Sequence, residues 1–459
     1  MAARLASGVL VLALAAALSA GQGPDNITRS KEAFAMRVVA TGLAAPWEVA
    51  YGPDQHLWVT EREGKRIVRI NPADETKTVL ATLPEVHQSI IQDGLLGLAL
   101  HPDLLRGAGN DFVYVSFTYA DASGGTASRM AIRRYRYDPN ARTLRDPSDV
   151  LRGLPASNDH VGGRLAIGPD LKLYLTIGDQ GANWAQNRCM PNRAQDIPSE
   201  ADVRARNWGA YAGKILRINL DGSIPGDNPA ISGVRSHVLS YGHRNPLGMV
   251  FGPGGRLFVS EHGPDTDDEV NLIEAGRNYG WPHVAGFRDD KAYVYANWSA
   301  SSPQPCASLP GRGAAPASVP TQVETAWSHP QFTPPIRTFF TWESAAAARQ
   351  AGGGTMAPGG LDVHTGPGGV PGWGDSLLVL SMLKGVVYRV ALAPDGRSVQ
   401  EPPVEVFKTT NRYRDIAVHP DKRTFYLATD PTGRTADDKG APTQTLANPG
   451  SIIAFTYAP

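Results

Sequence analysis

Short runs in which β-branched and aromatic residues alternate with polar ones recur along the chain, and each run follows a turn rich in proline, glycine or aspartate. The turns are Gly52-Pro53-Asp54, His101-Pro102-Asp103, Gly168-Pro169-Asp170, Gly252-Pro253-Gly254, the degenerate Gly372-Trp373-Gly374-Asp375, and His419-Pro420-Asp421. The runs after them cover 57–61, 112–116, 173–176, 257–261, 377–381 and 425–429. Proline presets φ for a turn, and the alternating residues suit a pleated strand. The pattern therefore predicts six β-rich units.

Self-similar β units at this spacing favour an all-β fold, a six-bladed β-propeller that closes radially and leaves few exposed strand edges. An irregular β-sandwich that uses the same turn chemistry is the alternative. The segment 451–457 has the pattern of a closing strand and is expected to complete the first blade. Polar residues just after each repeated strand should meet at one end of the central channel. Two long inserts, 179–213 and 297–342, lie where they could wall a site there.

The N-terminal segment 1–20 has the features of a secretory signal peptide: one basic residue, an apolar run over 5–17 and small residues near Ala20. A membrane anchor is the alternative, but the run is shorter than the ~20 residues that span a bilayer. No later run is long enough to cross a membrane. We therefore expect an exported protein, periplasmic or secreted, in which residues 21–459 form a single propeller domain.

Charge and cysteine content narrow the classes of partner. Lys+Arg and Asp+Glu number 44 each, so the net charge is zero and no basic run is present. Binding to nucleic acid requires an excess of positive charge, and we do not expect it. The two cysteines, Cys189 and Cys306, are too few for a disulfide framework or a multi-cysteine metal site. One bridge and two free thiols both remain open.

A first polar group combines Asp159 and His160 with Asp179, nineteen residues after the histidine. A histidine whose second ring nitrogen is held by a carboxylate has the arrangement of a general base, because the carboxylate fixes the tautomer and stabilises the imidazolium. The alternative is an ordinary Asp-His turn capped by its own side chain.

A second group contains Arg244, Arg412 and Arg414, with Gln92 on another inner loop. Three guanidinium groups on converging loops suit a ligand with several negative charges, because each pairs a carboxylate bidentately and keeps its charge. The alternative is that each arginine braces an aspartate of a neighbouring blade.

A third group, 261–269, is rich in carboxylates and is followed by Tyr279-Gly280-Trp281-Pro282 and Asp289-Asp290. Carboxylates and loop carbonyls are the hard oxygen donors that calcium prefers. The twelve-residue EF-hand pattern is absent, and a solvated acidic turn is the alternative interpretation.

Together these strings resemble the soluble, pyrroloquinoline quinone (PQQ) dependent glucose dehydrogenases and the related aldose sugar dehydrogenases. The resemblance extends from about Thr41 to Tyr457. Its most specific stretches are 94–97, 157–168, 177–181, 216–225, 242–246, 267–273, 278–286 and 411–415. The family is a six-bladed propeller, which agrees with the count of repeats.

The resemblance implies a role for each matching residue. His160 corresponds to the family's general base for the anomeric hydroxyl of the sugar, and Asp179 to its orienting carboxylate. Gln92 and Asp159 correspond to groups that contact the sugar. Arg244 matches the residue that stabilises the oxyanion developing on the reduced quinone. The implied ligands of PQQ are Arg244, Asn245, Thr355, Arg412 and Arg414.

The resemblance also implies calcium. Main-chain carbonyls of Gly263 and Pro264 correspond to ligands of the calcium ion that polarises PQQ. The positions that match the family's further structural calcium are Glu269, Tyr279, Ala285, Phe287, Asp289 and Glu324.

Several positions depart from the family pattern. The family's cofactor lysine falls on Leu383 in an ungapped match, with Lys384 one residue on as its candidate replacement. Leu247 and His262 stand where glutamines are usual. The family's aromatic wall is replaced by Gln350-Ala351-Gly352-Gly353-Gly354, which would open the sugar pocket and change the preferred sugar.

The sequence thus predicts a PQQ- and calcium-dependent dehydrogenase that oxidises an aldose to its lactone and passes electrons to an external quinone or cytochrome. No nicotinamide-binding or haem-attachment motif is present. The alternatives are a non-catalytic sugar-binding propeller and a calcium-dependent propeller lactonase. The sequence leaves open the preferred sugar and whether the chain forms a homodimer.

Overall fold

Six antiparallel sheets of four strands each form the scaffold of the computed structural model, and a fifth short strand pairs in parallel at the outer edge of one of them. The structure describes residues 25–89, 92–121, 128–310, 314–350 and 354–459. The predicted signal peptide, 1–20, lies outside these ranges. We number the sheets as blades 1 to 6 in the order of their first strands.

The strands of each blade follow one another from the channel outward. Blade 1 has Pro46–Tyr51, Leu57–Glu61, Arg66–Ile70 and Lys77–Thr82, and blade 2 has Leu95–Leu100, Phe112–Ala120, Ser128–Asp138 and Thr143–Pro155. Blade 3 has Gly162–Ile167, Lys172–Ile177, Lys214–Asn219 and Val238–Tyr241, and blade 4 has Pro246–Phe251, Leu257–Glu261, Asp268–Ile273 and Arg337–Phe339. Blade 5 has Pro358–His364, Ser376–Ser381, Val386–Ala391, Val404–Val406 and the short Thr28–Arg29, and blade 6 has Tyr413–Val418, Thr424–Thr429, Ile452–Tyr457 and Phe34–Ala40.

The remaining elements are short. The α-helices in the described ranges are Glu200–Ala205 and Ala345–Gln350, and single 3-10 turns cover Ala185–Asn187, Gly209–Tyr211, Pro253–Gly255, Trp298–Ala300, Cys306–Ser308 and Glu324–Ala326. Short strand pairs are Ala230–Ile231 with Val234–Arg235, Tyr295–Ala296 with Thr321–Gln322, and Thr435–Ala436 with Pro442–Thr443. None of the described helices has the length and apolar character needed to cross a bilayer.

The first strands of successive blades pack against one another, and the first strand of blade 6 packs against that of blade 1. The ring is therefore closed, and the predicted all-β, six-bladed propeller is confirmed. The repeated run of the sequence forms the second strand of every blade. This strand is hydrogen-bonded on both edges and buried between sheets, which is why its apolar pattern is the most regular in the chain.

The ends of the chain close the ring together in blade 6. Ile452–Tyr457 pairs with Thr424–Thr429 on one side and with the N-terminal strand Phe34–Ala40 on the other. The prediction of a C-terminal closing strand is confirmed, but its assignment to the first blade is wrong. The reason is that Phe34–Ala40 precedes the first turn repeat, so the last blade takes its outer strand from the N-terminal segment.

A buried ion cluster fills the central channel. The Arg164 guanidinium in blade 3 lies 2.6 Å from a Glu48 carboxylate oxygen of blade 1 and 2.9 Å from one of Asp415 in blade 6. Its Nε donates to the carbonyl of Leu247 in blade 4 at 2.8 Å. All of these charged side chains are buried. One arginine thus connects four blades, and we call Arg164, Glu48 and Asp415 the channel cluster.

Cys189 and Cys306 form a disulfide, with their Cα atoms 5.6 Å apart. The bridge joins the two inserts, 179–213 of blade 3 and 297–342 of blade 4. Arg188 adds a hydrogen bond from its guanidinium to the carbonyl of Leu309 at 3.1 Å. The two inserts are thereby joined both covalently and by hydrogen bonding.

Candidate functional site

The loops before the first strands and after the second strands gather at one end of the channel, because the two strands of each blade are antiparallel. We call this end the channel mouth. The sequence-predicted site residues on these loops or strand ends are Gln92 of blade 2, Asp159, His160 and Asp179 of blade 3, Arg244, Asn245, Gly263 and Pro264 of blade 4, Thr355 and Lys384 of blade 5, and Arg412 and Arg414 of blade 6. Asp179, Gly263, Pro264 and Lys384 follow a repeated second strand as expected, whereas the others precede or begin a first strand.

The His160 ring is held against Asp179. Its Nδ1 lies 2.7 Å from Asp179 Oδ1, and both side chains are buried. The second carboxylate oxygen of Asp179 accepts hydrogen bonds from Trp281 Nε1 at 2.6 Å and from Asn192 Nδ2 at 2.9 Å. His160 also has a left-handed backbone, with φ of 45°. Nδ1–H therefore donates to the carboxylate, and Nε2 is the basic nitrogen.

A hydrogen-bonded chain connects Asp159 to Asn245 through Gln92. Gln92 Nε2 donates to Asp159 Oδ1 at 2.6 Å, and Asn245 Nδ2 donates to Gln92 Oε1 at 3.2 Å. The same Asp159 oxygen accepts the backbone N–H of His160 at 3.0 Å. Side chains from blades 2, 3 and 4 are thus in one network beside the imidazole.

Arg244 lies between two indole rings. Its guanidinium carbon is 5.2 Å from the ring centroid of Trp281 and 5.4 Å from that of Trp184, within cation–π range. Nη1 donates to the carbonyl of His262 at 3.3 Å, while Nε is buried without a hydrogen-bond partner in the described structure. Asn245 Oδ1 is likewise buried without a hydrogen-bond partner in the described structure. Orphaned buried polar atoms on adjacent residues indicate a polar ligand.

Arg412 and Arg414 share one buried carboxylate. Arg412 Nε donates to Asp430 Oδ2 at 2.8 Å, and Arg414 donates to both oxygens at 2.8 Å. Burial acts to raise the pKa of Asp430, yet the two arginines hold it below its ordinary value. The alternative interpretation was that each arginine binds an aspartate of a neighbouring blade. Arg412 and Arg414 do bind an aspartate, but it belongs to their own blade. Two guanidinium groups on one carboxylate leave a surplus positive charge.

Thr355 binds the carboxylate of Asp268, which also accepts backbone N–H groups of Gly263 at 3.0 Å and Met356 at 2.7 Å. Burial raises the pKa of Asp268 to about 7. A Cβ atom on Gly263 would lie 1.8 Å from the carbonyl oxygen of Thr266, so the turn requires glycine. Asp268 thus joins two loops. One carries Thr355, a predicted PQQ ligand, and the other carries Gly263 and Pro264, the predicted calcium ligands.

Lys384 extends its ammonium group over the Phe340 ring at 4.8 Å, and burial lowers its pKa. Asp268 is the nearby carboxylate that opposes this effect. Leu383, at the position of the family lysine, packs against the hydrophobic core. Lys384 therefore borders the Asp268 loops, and its hydrogen-bond contacts do not reach the His160 network.

The predicted structural calcium residues surround one loop. Glu324 accepts backbone N–H groups of Ala285 at 2.9 Å and Asp289 at 3.3 Å, and Glu269 accepts that of Gly286 at 2.6 Å. The other two predicted residues do not share these contacts. Tyr279 donates its hydroxyl to the carbonyl of Leu272, and the Phe287 side chain is exposed. Across the described ranges, no group of three or more His, Cys, Asp or Glu side chains is placed to hold a metal ion.

Comparison with known proteins identifies the family of this chain. The family model for glucose/sorbosone dehydrogenases matches residues 43–305. Quinoprotein glucose dehydrogenase B of Acinetobacter calcoaceticus is 40% identical over 468 residues, which covers 99% of this chain and 97% of the relative. The chain belongs to the glucose/sorbosone dehydrogenase family.

Two further relatives agree with this family. Aldose sugar dehydrogenase YliI of Escherichia coli is 30% identical over 252 residues, or 54% of this chain and 61% of the relative. The PQQ-bound form of aldose sugar dehydrogenase from Streptomyces coelicolor superposes with a TM-score of 0.63 at 27% identity, covering 93% of this chain and 99% of that one.

Several residues of this family member escaped sequence reasoning. Trp184 and Asn192 lie in irregular loops without a motif, and Asp430 follows a strand as a single acidic residue. Trp281 lies in the recognised stretch 278–286, but sequence reasoning assigned it no role in the site. The available signal was the position of each residue in the repeat. Asp430 comes directly after the repeated strand of blade 6, and Asp179 comes two residues after the repeated strand of blade 3. Arg62 of blade 1 was also missed. Burial lowers its pKa, and its guanidinium donates to the carbonyl of Asp93, beside Gln92.

His262 occupies a central place at the mouth. Its Nε2 donates to the carbonyl of Pro358 at 2.8 Å, so Nδ1 is the nitrogen without a proton. Burial lowers the pKa of His262 well below its ordinary value, and the charges of Arg244 and His160 act in the same direction. This position of the mouth therefore presents a neutral imidazole.

Proposed function

We propose that the protein oxidises an aldose at its anomeric carbon to the lactone, with PQQ as the hydride acceptor and an external quinone or cytochrome as the final electron acceptor. The observation that carries the proposal is the buried His160–Asp179 pair in a mouth lined by arginines with surplus positive charge. Family membership supports the sugar substrate, and similarity to a quinoprotein glucose dehydrogenase and to a PQQ-bound aldose sugar dehydrogenase supports PQQ.

His160 is the proposed base. Its Nδ1–H is held by Asp179, so Nε2 presents a lone pair that can accept the proton of the anomeric hydroxyl. Asp179 stabilises the imidazolium that results, and its bonds to Trp281 and Asn192 keep it from rotating. Gln92 and Asp159 are the proposed sugar-binding groups, since their amide and carboxylate edges lie next to the imidazole in the same network.

The residues present fit PQQ by charge and by two unpartnered polar atoms, the donor Arg244 Nε and the acceptor Asn245 Oδ1. Bound PQQ would supply an electrophilic carbonyl carbon that accepts hydride. Its carboxylates would be paired by Arg412 and Arg414, whose single counter-ion is Asp430. Arg244 and Asn245 contribute the buried atoms that lack partners, and Thr355 and Lys384 complete the proposed set of cofactor ligands.

Calcium is proposed in two places. Gly263 and Pro264 lie on a tight turn whose carbonyl oxygens are suitable ligands for an ion beside PQQ. The second place is the loop around Glu324 and Glu269, with Tyr279, Ala285, Phe287 and Asp289 as the other proposed ligands. There Asp267, Asp289 and Glu324 repel one another electrostatically, and a cation would relieve that repulsion.

The same proposal extends to cellular location and assembly. Residues 1–20 are proposed to direct export to the periplasm or outside the cell, and 21–459 to act as one propeller domain. A homodimer is compatible with the proposal, which requires neither nucleic acid nor a membrane span.

The proposal is tested by adding PQQ and calcium to the purified apoprotein and following reduction of an artificial acceptor with a panel of aldoses. We expect turnover that requires both additions. His160→Ala should lower kcat about 10³-fold while the Kd for PQQ changes by less than about twofold. His56→Ala is the matched control, because His56 lies on a turn at the opposite end of blade 1.

Two outcomes would count against the proposal. Bound PQQ without turnover of any aldose would leave a non-catalytic sugar-binding propeller as the better interpretation. An equal loss of PQQ binding and turnover in His160→Ala would contradict the assignment of the base.

A further inference from the structure

Trp184 is the most exposed tryptophan in the described part of the chain. The residue is 38% exposed, whereas Arg244 beside it is 5% exposed. Trp184 belongs to none of the hydrophobic core clusters. Trp184 therefore presents an exposed indole at the rim of a polar site, where its apolar surface is free to contact a ligand.

The loop that carries Trp184 is firmly held. Gln180, Asn183 and Ala185 all have left-handed backbones, with φ of 70°, 60° and 43°. The carbonyl of Gln180 accepts hydrogen bonds from Ser157 Oγ and Asn187 Nδ2, both at 3.0 Å. The Cys189–Cys306 bridge follows within a few residues. The position of the indole is therefore set by the loop, which keeps a strained backbone that surrounding contacts must maintain.

This loop also surrounds the proposed sugar-binding residues. A Cβ atom built on Gly181 would lie 3.2 Å from the Cβ atom of Asp159, so the loop passes directly against that side chain. Asn187 Nδ2 is 3.4 Å from Asn158 Oδ1, one residue before Asp159. The Trp184 ring lies 5.4 Å from the Arg244 guanidinium. The indole thus borders both the proposed sugar-binding residues and the proposed cofactor arginine.

We propose that Trp184 is the stacking platform for the pyranose ring of the aldose substrate and a determinant of sugar preference, an inference that rests on the proposed function. The face of an indole is negative, and the C–H bonds on one face of a pyranose carry partial positive charge, so the two surfaces attract. Hydroxyl groups at the ring edge would reach Gln92 and Asp159. The segment 350–354 contains no aromatic residue, and Trp184 supplies one from another loop.

The experiment combines kinetics with direct sugar binding. In the PQQ- and calcium-loaded protein, Trp184→Ala should raise KM for aldopyranoses about tenfold with kcat within about twofold, because stacking binds ground state and transition state equally. Trp184→Phe should restore KM to within about threefold of wild type. The Kd for PQQ should rise less than KM does in both variants, because Trp281 still packs on the Arg244 guanidinium.

Intrinsic fluorescence gives a readout independent of turnover. Sugar added to the wild-type apoprotein should change tryptophan emission, and Trp184→Phe should abolish that change. Trp327→Phe is the matched control. Trp327 lies in insert 297–342 and packs on His283, so this variant should keep the sugar-dependent change in emission.

Three results separate this inference from the proposed function. Unchanged KM in Trp184→Ala, with wild-type turnover intact, overturns the platform and leaves the dehydrogenase proposal standing. Weakened PQQ binding with unchanged KM also overturns it, because Trp184 would then act on the cofactor. A sugar-dependent emission change through Trp184 without turnover in the wild type supports the platform and refutes the dehydrogenase.

Discussion

The two clusters of buried arginine in this propeller differ in charge balance. In the channel cluster, one guanidinium, Arg164, faces two carboxylates, Glu48 and Asp415. At the mouth, two guanidinium groups, Arg412 and Arg414, face the single carboxylate of Asp430. A surplus of carboxylates can be removed by taking up a proton, whereas arginine does not lose its proton in proteins. The group of Arg412, Arg414 and Asp430 therefore keeps a net positive charge that suits an anionic ligand.

The pKa values follow this difference. Burial raises the pKa of Glu48 to about 8, so the channel cluster carries a proton at neutral pH and has no net charge. The pKa of Asp430 is lowered, and this carboxylate stays ionised. The channel cluster is therefore complete without a ligand and serves the fold. The mouth is incomplete and serves binding, and variants in the two clusters can test this distinction.

Arg164→Ala should have the largest effect on the fold. Removing the guanidinium leaves Glu48 and Asp415 buried without their shared partner, and we expect a loss of roughly 3 to 5 kcal/mol in the free energy of unfolding. Urea denaturation measures it. Arg204→Ala, an exposed arginine paired with Glu200, is the control and should change stability by less than about 1 kcal/mol. Similar stability of the two variants would contradict a structural role for the channel cluster.

Asp430→Asn should destabilise the apoprotein because it leaves Arg412 and Arg414 facing each other without a counter-ion. We expect a loss of about 2 to 3 kcal/mol, smaller than for Arg164→Ala because the mouth is open to solvent ions. Saturating PQQ should recover part of this stability, which thermal denaturation with and without PQQ would measure. Equal destabilisation with and without PQQ would show that the two arginines do not bind the cofactor.

Glu48→Gln tests the proton in the channel cluster. The folded protein keeps this proton up to about pH 8, whereas the unfolded chain loses it near 4.5, so wild-type stability should fall as pH rises between these values. The variant has no such proton and should show a flatter dependence, by roughly 3 to 4 kcal/mol between pH 5 and pH 8. Denaturation at pH 5 and pH 8 measures it. Parallel pH profiles would mean that Glu48 is ionised when buried.

Lys384→Met should have the smallest effect. The ammonium group lies over Phe340 near Asp268 and carries only part of the positive charge available to PQQ. We expect the Kd for PQQ to rise about threefold, with unchanged thermal stability of the apoprotein, as measured by titration and by melting. A hundredfold rise would instead make Lys384 a full replacement for the family lysine.

The sequence was sufficient to predict the ring and part of the mouth. Turn chemistry and alternating strands are local, so six blades could be counted. The spacing of His160 and Asp179 only suggested a pair, and the resemblance to the family gave the two residues their roles. The channel cluster could not be predicted, because Glu48, Arg164 and Asp415 are far apart in sequence and meet only when the ring closes. The same holds for the pairing of Phe34–Ala40 with Ile452–Tyr457 in blade 6.

The measurement that tests the central claim most directly is calorimetric titration of PQQ, with calcium present, into the wild-type protein and an Arg412→Ala/Arg414→Ala double variant. The account predicts tight binding to the wild type and a loss of at least about 10²-fold in affinity for the double variant. The double variant should remain folded, because Asp430 can take up a proton once both arginines are removed. Unchanged PQQ affinity in the folded double variant would contradict the claim that the surplus charge of the mouth binds the cofactor.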